Sequence, residues 1–462
     1  MFCLICNFLT KNNLKKYIKR LTFIEIVLIQ ICLFYCFAFG DFIATTKHGL
    51  ILLDCISEGS VRSFYNVVVK QYVPAYYDFV IYVIFAVWNL PLWLAQKSGL
   101  VQDPLDSILG FVWAKSIILF FASVCLFYMW KILRINGQYS KYDLVFIFAT
   151  DLLITAGLCI MGQYDIITVS FIIAGLYYYL IGNEKKFIIA FAFAIPIKAF
   201  AFLLFCPLLV QKEKTIIKII LKGLIVLMPI VFCRLFVPMS ANPQQMIPLY
   251  LGKVLGISLP MSNGFVSFFI VSYTALVVYC YIHPFKNILY SSIVTSAFVF
   301  AIFLLFSNPH PQWWVHIAPF IILLIFLNKN KNVVHHLLAV IGELMLLLPL
   351  IRTYYYVFNP NNLARGILNQ VIHIEASYVN GPLNMFDFLF SKTSIRSDFI
   401  FEIILSLGFA CILSFVFISR KSGFVDNKFI NSKSNLLFTS FFLRSASVVL
   451  TYILIFFQLK FV

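Results

Sequence analysis

The chain has 462 residues, of which 62% are apolar and only 11% charged, with a mean hydropathy of +0.95. A soluble protein of this size needs about 25% charged residues to cover its surface, and no polar stretch here is long enough to fold alone, so soluble multidomain architectures are excluded. The net charge of +17, from 35 Lys and Arg against 18 Asp and Glu, would suggest nucleic acid in a soluble protein. In an apolar one it is first a topology signal, because basic residues collect in short cytoplasmic loops. The reading is an all-α, polytopic membrane protein with no nucleic-acid partner.

The basic segment 1–20 precedes an apolar run from Leu21 to Gly40. No small-residue cleavage site follows, so the run reads as a retained first span with the N-terminus in the cytoplasm. Residues 41–107 are the least apolar part of the chain and carry Asp41, Asp54, Glu58, Asp78, Asp103 and Asp106. They read as a large first extracytoplasmic loop. Pro74 to Gln96 within it is apolar enough to cross. A crossing there would put the basic loop after the next span (Lys131, Arg134, Lys141) outside, so the segment reads as a juxtamembrane helix along the interface.

Spans follow at 108–130, 144–161 and 166–181. Residues 187–210 are apolar yet flanked at both ends by basic clusters. Two short half-spans meeting near Pro196-Ile197-Lys198 keep both clusters inside, and such broken helices are tolerated where they line a polar cavity. Further spans are expected at 215–237, 264–282, 288–307, 313–328, 333–356, 397–419 and 437–458, giving about 11–13 in total. Residues 21–330 read as one transmembrane module and 331–462 as additional C-terminal helices. The cysteines lie mostly in apolar segments and suit buried side chains; the lone Cys3 and Cys6 pair has no second pair to complete a zinc site.

A few polar groups stand out against this background. Asp41 sits just beyond the first span, where ionisation is affordable. Asp78 shares its loop, with a charge at the start of the juxtamembrane helix as the alternative reading. Gly162-Gln163-Tyr164-Asp165 forms a tight outward turn whose amide and carboxylate could bond a polyol, or simply cap a helix. Lys198 is the most costly residue, at roughly 2.5–3.5 kcal/mol near a bilayer centre, and demands a cavity, a carboxylate partner or an anionic ligand such as phosphate. The outer turn Ser307 to Trp314 holds His310 and Gln312, with His316 one turn further on. His310 and His316 lack a third ligand at useful spacing, so no protein-held metal is expected. Arg352 closes a span at the outer face, as a phosphate contact or a snorkelling anchor. Glu343 and Arg444 are intramembrane charges too, and either could be part of a structural pair.

In order and content these features resemble the GT-C superfamily of integral membrane glycosyltransferases, and most of all its polyprenyl-phosphate-mannose-using branch. The likeness covers roughly residues 20 to 330 and rests on Gly40-Asp41-Phe42, Tyr72-Val73-Pro74-Ala75-Tyr76-Tyr77, Gly162 to Asp165, Pro196-Ile197-Lys198 and Pro311-Gln312-Trp313. The chain departs from the family in having one carboxylate in place of a D-x-D motif, and one proline in the aromatic segment.

The resemblance implies a GT-C-like bundle and inverting transfer of a mannose-like hexose from a polyprenyl-phosphate donor to a glycan or glycolipid acceptor. It makes Asp41 the catalytic carboxylate and sets Lys198 and Arg352 at the donor phosphate. Asp78, Gln163, Asp165, His310 and Gln312 would lie at the sugar or acceptor. It leaves room for a divalent cation, and it implies a bacterial plasma membrane or endoplasmic reticulum location. Two alternatives compete: an O-antigen-type polysaccharide polymerase or ligase, and a lipid-linked glycan transporter or flippase without bond chemistry.

Overall fold

The computed structural model describes residues 11–137, 139–239, 252, 255–262, 264–307, 309–328, 333–353, 365–367, 397–422 and 443–454. These residues form an almost entirely helical protein. By length and composition, five of the described helices can cross a membrane, or seven if each of two bent pairs counts as one span. Shorter apolar helices of 10–17 residues accompany them. Among the described residues these are five to seven candidate spans and six shorter apolar helices, beside the 11–13 helices expected with half-spans counted separately.

Helix α1 (Lys11–Cys36) stops at Phe37, and α2 (Gly40–Ser57) leaves it at 68°. After α3 (Phe64–Gln71), α4 (Phe79–Lys97) packs on α2. Gly49 makes this contact possible, because a Cβ there would sit 2.9 Å from the Phe85 carbonyl carbon and 3.0 Å from the Ala86 nitrogen. Gly49→Leu should destabilise the protein by about 1–3 kcal/mol through this overpacking, read as a lower midpoint of thermal unfolding in detergent. Helix α4 is long and apolar enough to cross a membrane. The expectation that it lies along the interface rests on the charge of the following loop alone.

The acidic segment 41–107 is closed by its own contacts. Asp54 accepts from Trp93 Nε1 and pairs with Lys97, each at 2.8 Å, while Asp103 pairs with Lys47 at 2.9 Å. Helix α5 (Ile108–Asn136) begins at Ser107, whose hydroxyl accepts from the Gly110 amide. Trp88 and Trp113 join α4 to α5 by reciprocal indole-to-carbonyl bonds of 3.0 and 2.9 Å.

The expected span 144–161 is broken. Helix α6 (Lys141–Ala149) and α7 (Leu152–Ile154, running on as a π-helical stretch Thr155–Ile160) meet at 54°. Asp151 at the bend accepts from the Leu153 and Ile154 amides, and Glu343 accepts from Leu152. Carboxylates thus cap the second half-helix, where the helix dipole favours negative charge. Arg444 pairs with Glu343 at 2.9 Å, with both side chains buried, so the two intramembrane charges are each other's partner.

Helix α8 (Asp165–Leu180) leads to α9 (Glu184–Ile197) and α10 (Phe200–Lys212). These last two form the expected hairpin. Phe187 near the start of α9 stacks on Phe205 of α10 at 5.3 Å, although 18 residues of continuous helix would separate them by about 27 Å. Glu184 and Glu213, at opposite ends of the hairpin in sequence, both pair with Lys222 of α11 (Ile216–Phe236). Both ends therefore lie together, and Lys198 sits at the tip.

The sequence reading missed one element: Ser258–Met261 (β1) and Gly264–Ser267 (β2) form a small antiparallel hairpin ahead of α12 (Phe268–Ile282). The expected span at 264–282 therefore begins as strand. Next come α13 (Ile288–Phe306), a 3-10 turn Pro311–His316, α14 (Ala318–Leu327), α15 (Val333–Thr353), α16 (Ser397–Ser422) and α17 (Leu443–Leu454). Helices α15 and α16 approach closely because Gly342 faces Ile412 and Gly408 faces Leu346.

Candidate functional site

The breaks between helices converge. The α1–α2 break presents Asp41 in the first turn of α2, and the Phe39 amide bonds to the Met161 carbonyl at 3.1 Å, joining that break to the one before α8. Gly162 has φ +61°, a left-handed conformation that turns the chain sharply into α8 and that a β-carbon would strain.

Gln163 Nε2 then donates to Asp41 Oδ2 at 3.2 Å, and Tyr77 OH donates to the same oxygen at 3.5 Å. Among the described residues Oδ1 of Asp41 accepts no hydrogen bond. One oxygen is thus held by two donors and the other by none among the described residues.

Beside this pair, Lys198 Nζ lies 3.2 Å from Asp165 Oδ1 at the start of α8. The separation is that of an ion pair, yet both Asp165 oxygens lack a well-directed hydrogen bond. The attraction is therefore chiefly coulombic. The ammonium also sits 4.4 Å from the Tyr77 ring centroid, with the Tyr164 ring 5.8 Å away. Asp165 is fully buried and Lys198 is 9% exposed. Of the three ways to accommodate Lys198, the structure supplies the carboxylate partner.

Asp41, Lys198 and Asp165 act on one another electrostatically, and His316 feels both Asp165 and Lys198. His316 is buried with Nδ1 3.0 Å from the Trp313 carbonyl. A carbonyl only accepts, so Nδ1 donates and neutral Nε2 offers a lone pair. Gln312 is buried on the same turn, and His310 packs edge-on against Trp313 at 5.2 Å.

Buried polar atoms without a hydrogen-bond partner recur in these segments: besides the Asp165 oxygens they are Gln163 Oε1, Gln312 Oε1 and His316 Nε2, the hydroxyls of Tyr164, Thr168 and Ser307, and Trp314 Nε1. Native interiors pair nearly all such atoms, so a group of them needs an explanation. The amide oxygens and His316 Nε2 accept, Trp314 Nε1 donates and the hydroxyls do either, so a ligand rich in hydroxyls would satisfy them.

Two expected residues stand apart. Asp78 is held by Arg234 through two bonds, Nε to Oδ1 at 2.7 Å and a terminal nitrogen to Oδ2 at 3.1 Å, which accounts for its charge without a ligand. The side chain of Arg352 lies outside the described residues. A cation at the α1–α2 break is Arg365, whose guanidinium nitrogen would lie 3.4 Å from a Cβ placed on Gly40. The sequence reading passed over Arg365, and also Thr168 and Tyr77 as ligands or partners. Tyr77 carried a usable signal: it adjoins Asp78 in an aromatic, proline-containing loop. No cluster of three or more metal-ligating side chains occurs among the described residues.

Comparison of the chain with protein-family models, with curated proteins and with solved structures finds no match.

Proposed function

We propose that this chain is a GT-C-type glycosyltransferase of the membrane, moving a neutral hexose from a polyprenyl-phosphate donor to a glycan or glycolipid acceptor at the extracytoplasmic face. The observation that carries the reading is the convergence of Asp41, Gln163, Asp165 and Lys198, from three helix breaks far apart in sequence, into one buried, mutually interacting group.

In this reading Asp41 Oδ1 takes the proton of the acceptor hydroxyl as its oxygen attacks the anomeric carbon, and the bond from that carbon to the phosphate oxygen breaks. The polyprenyl phosphate leaves as an anion. Lys198 is the buried cation of this group that receives the developing charge, with Asp165 holding it in place until the donor arrives. Arg365 at the Gly40 break adds a second cation. The unpartnered acceptors Gln163 Oε1, Gln312 Oε1 and His316 Nε2 favour a sugar that presents hydroxyls over one bearing a carboxylate, and the hydroxyls can also accept from Trp314 Nε1.

The test is transfer by the purified full-length chain, reconstituted in vesicles, from a radiolabelled polyprenyl-phosphate hexose. A hexuronic acid donor should be used at least about tenfold less well, because its carboxylate would meet unpaired acceptors. Equal use of both donors would overturn the neutral-sugar assignment. No transfer from either would overturn the enzyme reading.

The competing reading, transport without bond chemistry, draws on the buried Asp151, Glu343 and Arg444 group at the α6–α7 bend. It predicts movement of the lipid-linked sugar between leaflets with the glycosidic bond intact.

A further inference from the structure

Helix α5 carries a lysine that the proposed chemistry does not use. Lys115 is completely buried about two turns into the apolar helix α5, and among the described residues no carboxylate pairs with it. Its ammonium donates to the carbonyls of Phe34 and Phe37 and lies 4.2 Å from the Phe34 ring centroid.

Those two carbonyls flank the end of α1, where the last carbonyls of a helix have no partner within it. In an apolar surround water cannot supply the missing donors, and a cation at a helix C-terminus also complements the dipole. The same lysine touches the second break: a Cβ on Gly162 would lie 2.9 Å from its Cε and 3.1 Å from its Nζ. The bond from the Phe39 amide to the Met161 carbonyl runs between the two segments that Lys115 contacts. Asp41 follows Phe39 by two residues, and Gln163 follows Gly162 directly.

We propose that Lys115 is a positioning residue: by holding the α1–α2 break against the Gly162 turn, it sets the separation of Asp41 and Gln163. The proposal rests on Asp41 acting as the base. Lys115 acts through the backbone of both breaks. Space-filling alone predicts a different outcome, because replacing a buried ion by an apolar side chain of similar volume is often neutral.

The test compares Lys115→Met, which keeps the volume and loses every donor, with Lys115→Gln, which keeps an N–H donor for the carbonyls. Two measurements are made on the full-length protein in vesicles: transfer kinetics, and hydrogen–deuterium exchange of peptides covering 34–42 and 158–165. Lys115→Met should lower kcat by about 100-fold while KM for the donor stays within about twofold, since a small misplacement of a catalytic group costs this much. Exchange in those two peptides should rise about tenfold, with other helices unchanged, as expected for local opening. Lys115→Gln should recover most of the protection and part of kcat.

Unchanged kcat and exchange in Lys115→Met would overturn the proposal. So would faster exchange spread evenly over all helices, or a Gln variant no better than Met. Where the Met variant does not insert, the Gln variant decides: native protection in both peptides supports the clamp, and accelerated exchange throughout refutes it. A wild-type chain with no transfer activity would remove the base assignment and leave the exchange measurement to decide the clamp.

Discussion

Asp41→Asn is expected to fold and insert normally and to lose transfer by a factor of about 10² to 10⁴, the range a general base contributes. The substitution is nearly isosteric. Its amide oxygen can still accept from Gln163 and Tyr77, which now bond to Oδ2, so the α1–α2 break keeps its contacts. What changes is the group in the Oδ1 position, where an amide nitrogen has no lone pair for the acceptor hydroxyl proton. The loss should therefore fall on kcat, with donor KM and the thermal midpoint close to wild type. Initial rates across donor concentration, measured beside thermal unfolding in detergent, check this. Transfer at more than about a tenth of the wild-type rate would remove Asp41 from the mechanism.

Lys198→Met should be damaging in two separable ways. Asp165 is fully buried, and removing its cation leaves a carboxylate uncompensated, at a cost of about 3–5 kcal/mol. The single variant should thus unfold at a lower temperature and give little folded protein. Lys198→Met combined with Asp165→Asn removes both charges and should recover most of that stability. If Lys198 receives the leaving phosphate, the double variant stays defective in transfer despite folding. If the lysine serves only to neutralise Asp165, stability and transfer return together. The double variant therefore distinguishes a phosphate contact from a buried structural pair, which geometry by itself does not.

The candidate site was legible to different degrees in different places. Asp41, Asp165 and Lys198 could be singled out because a charge in an apolar stretch is expensive and rare. The hairpin at Lys198 was readable from Pro196 and from basic residues at both ends of the stretch. Asp78 looked like a member of the same group by position, yet Arg234, distant in sequence, neutralises it. Tyr77, its neighbour, is the residue that reaches Asp41. Loop residues one position apart point in different directions, and only the folded loop decides which faces the site. Lys115 went unnoticed because its span passed as strongly apolar; its role depends on the carbonyls of Phe34 and Phe37, which no side-chain pattern encodes.

The number of crossings divides in the same way. Hydropathy finds apolar stretches but not where hydrogen bonding interrupts them. Asp151, bonding to the Leu153 and Ile154 amides, breaks an apolar run into two helices bent by 54°.

By itself, then, the sequence determined an apolar, helical, multi-span chain and a short list of charges too costly to be accidental. Both follow from transfer energies that each residue carries regardless of its neighbours. Tertiary structure decided which of those charges meet, that Lys198 faces Asp165, that Glu343 faces Arg444, and that Asp78 is drawn away by Arg234. Such pairings depend on helix bends and close approaches between remote segments, where interaction energies change steeply within a few ångströms and no local pattern records the partner.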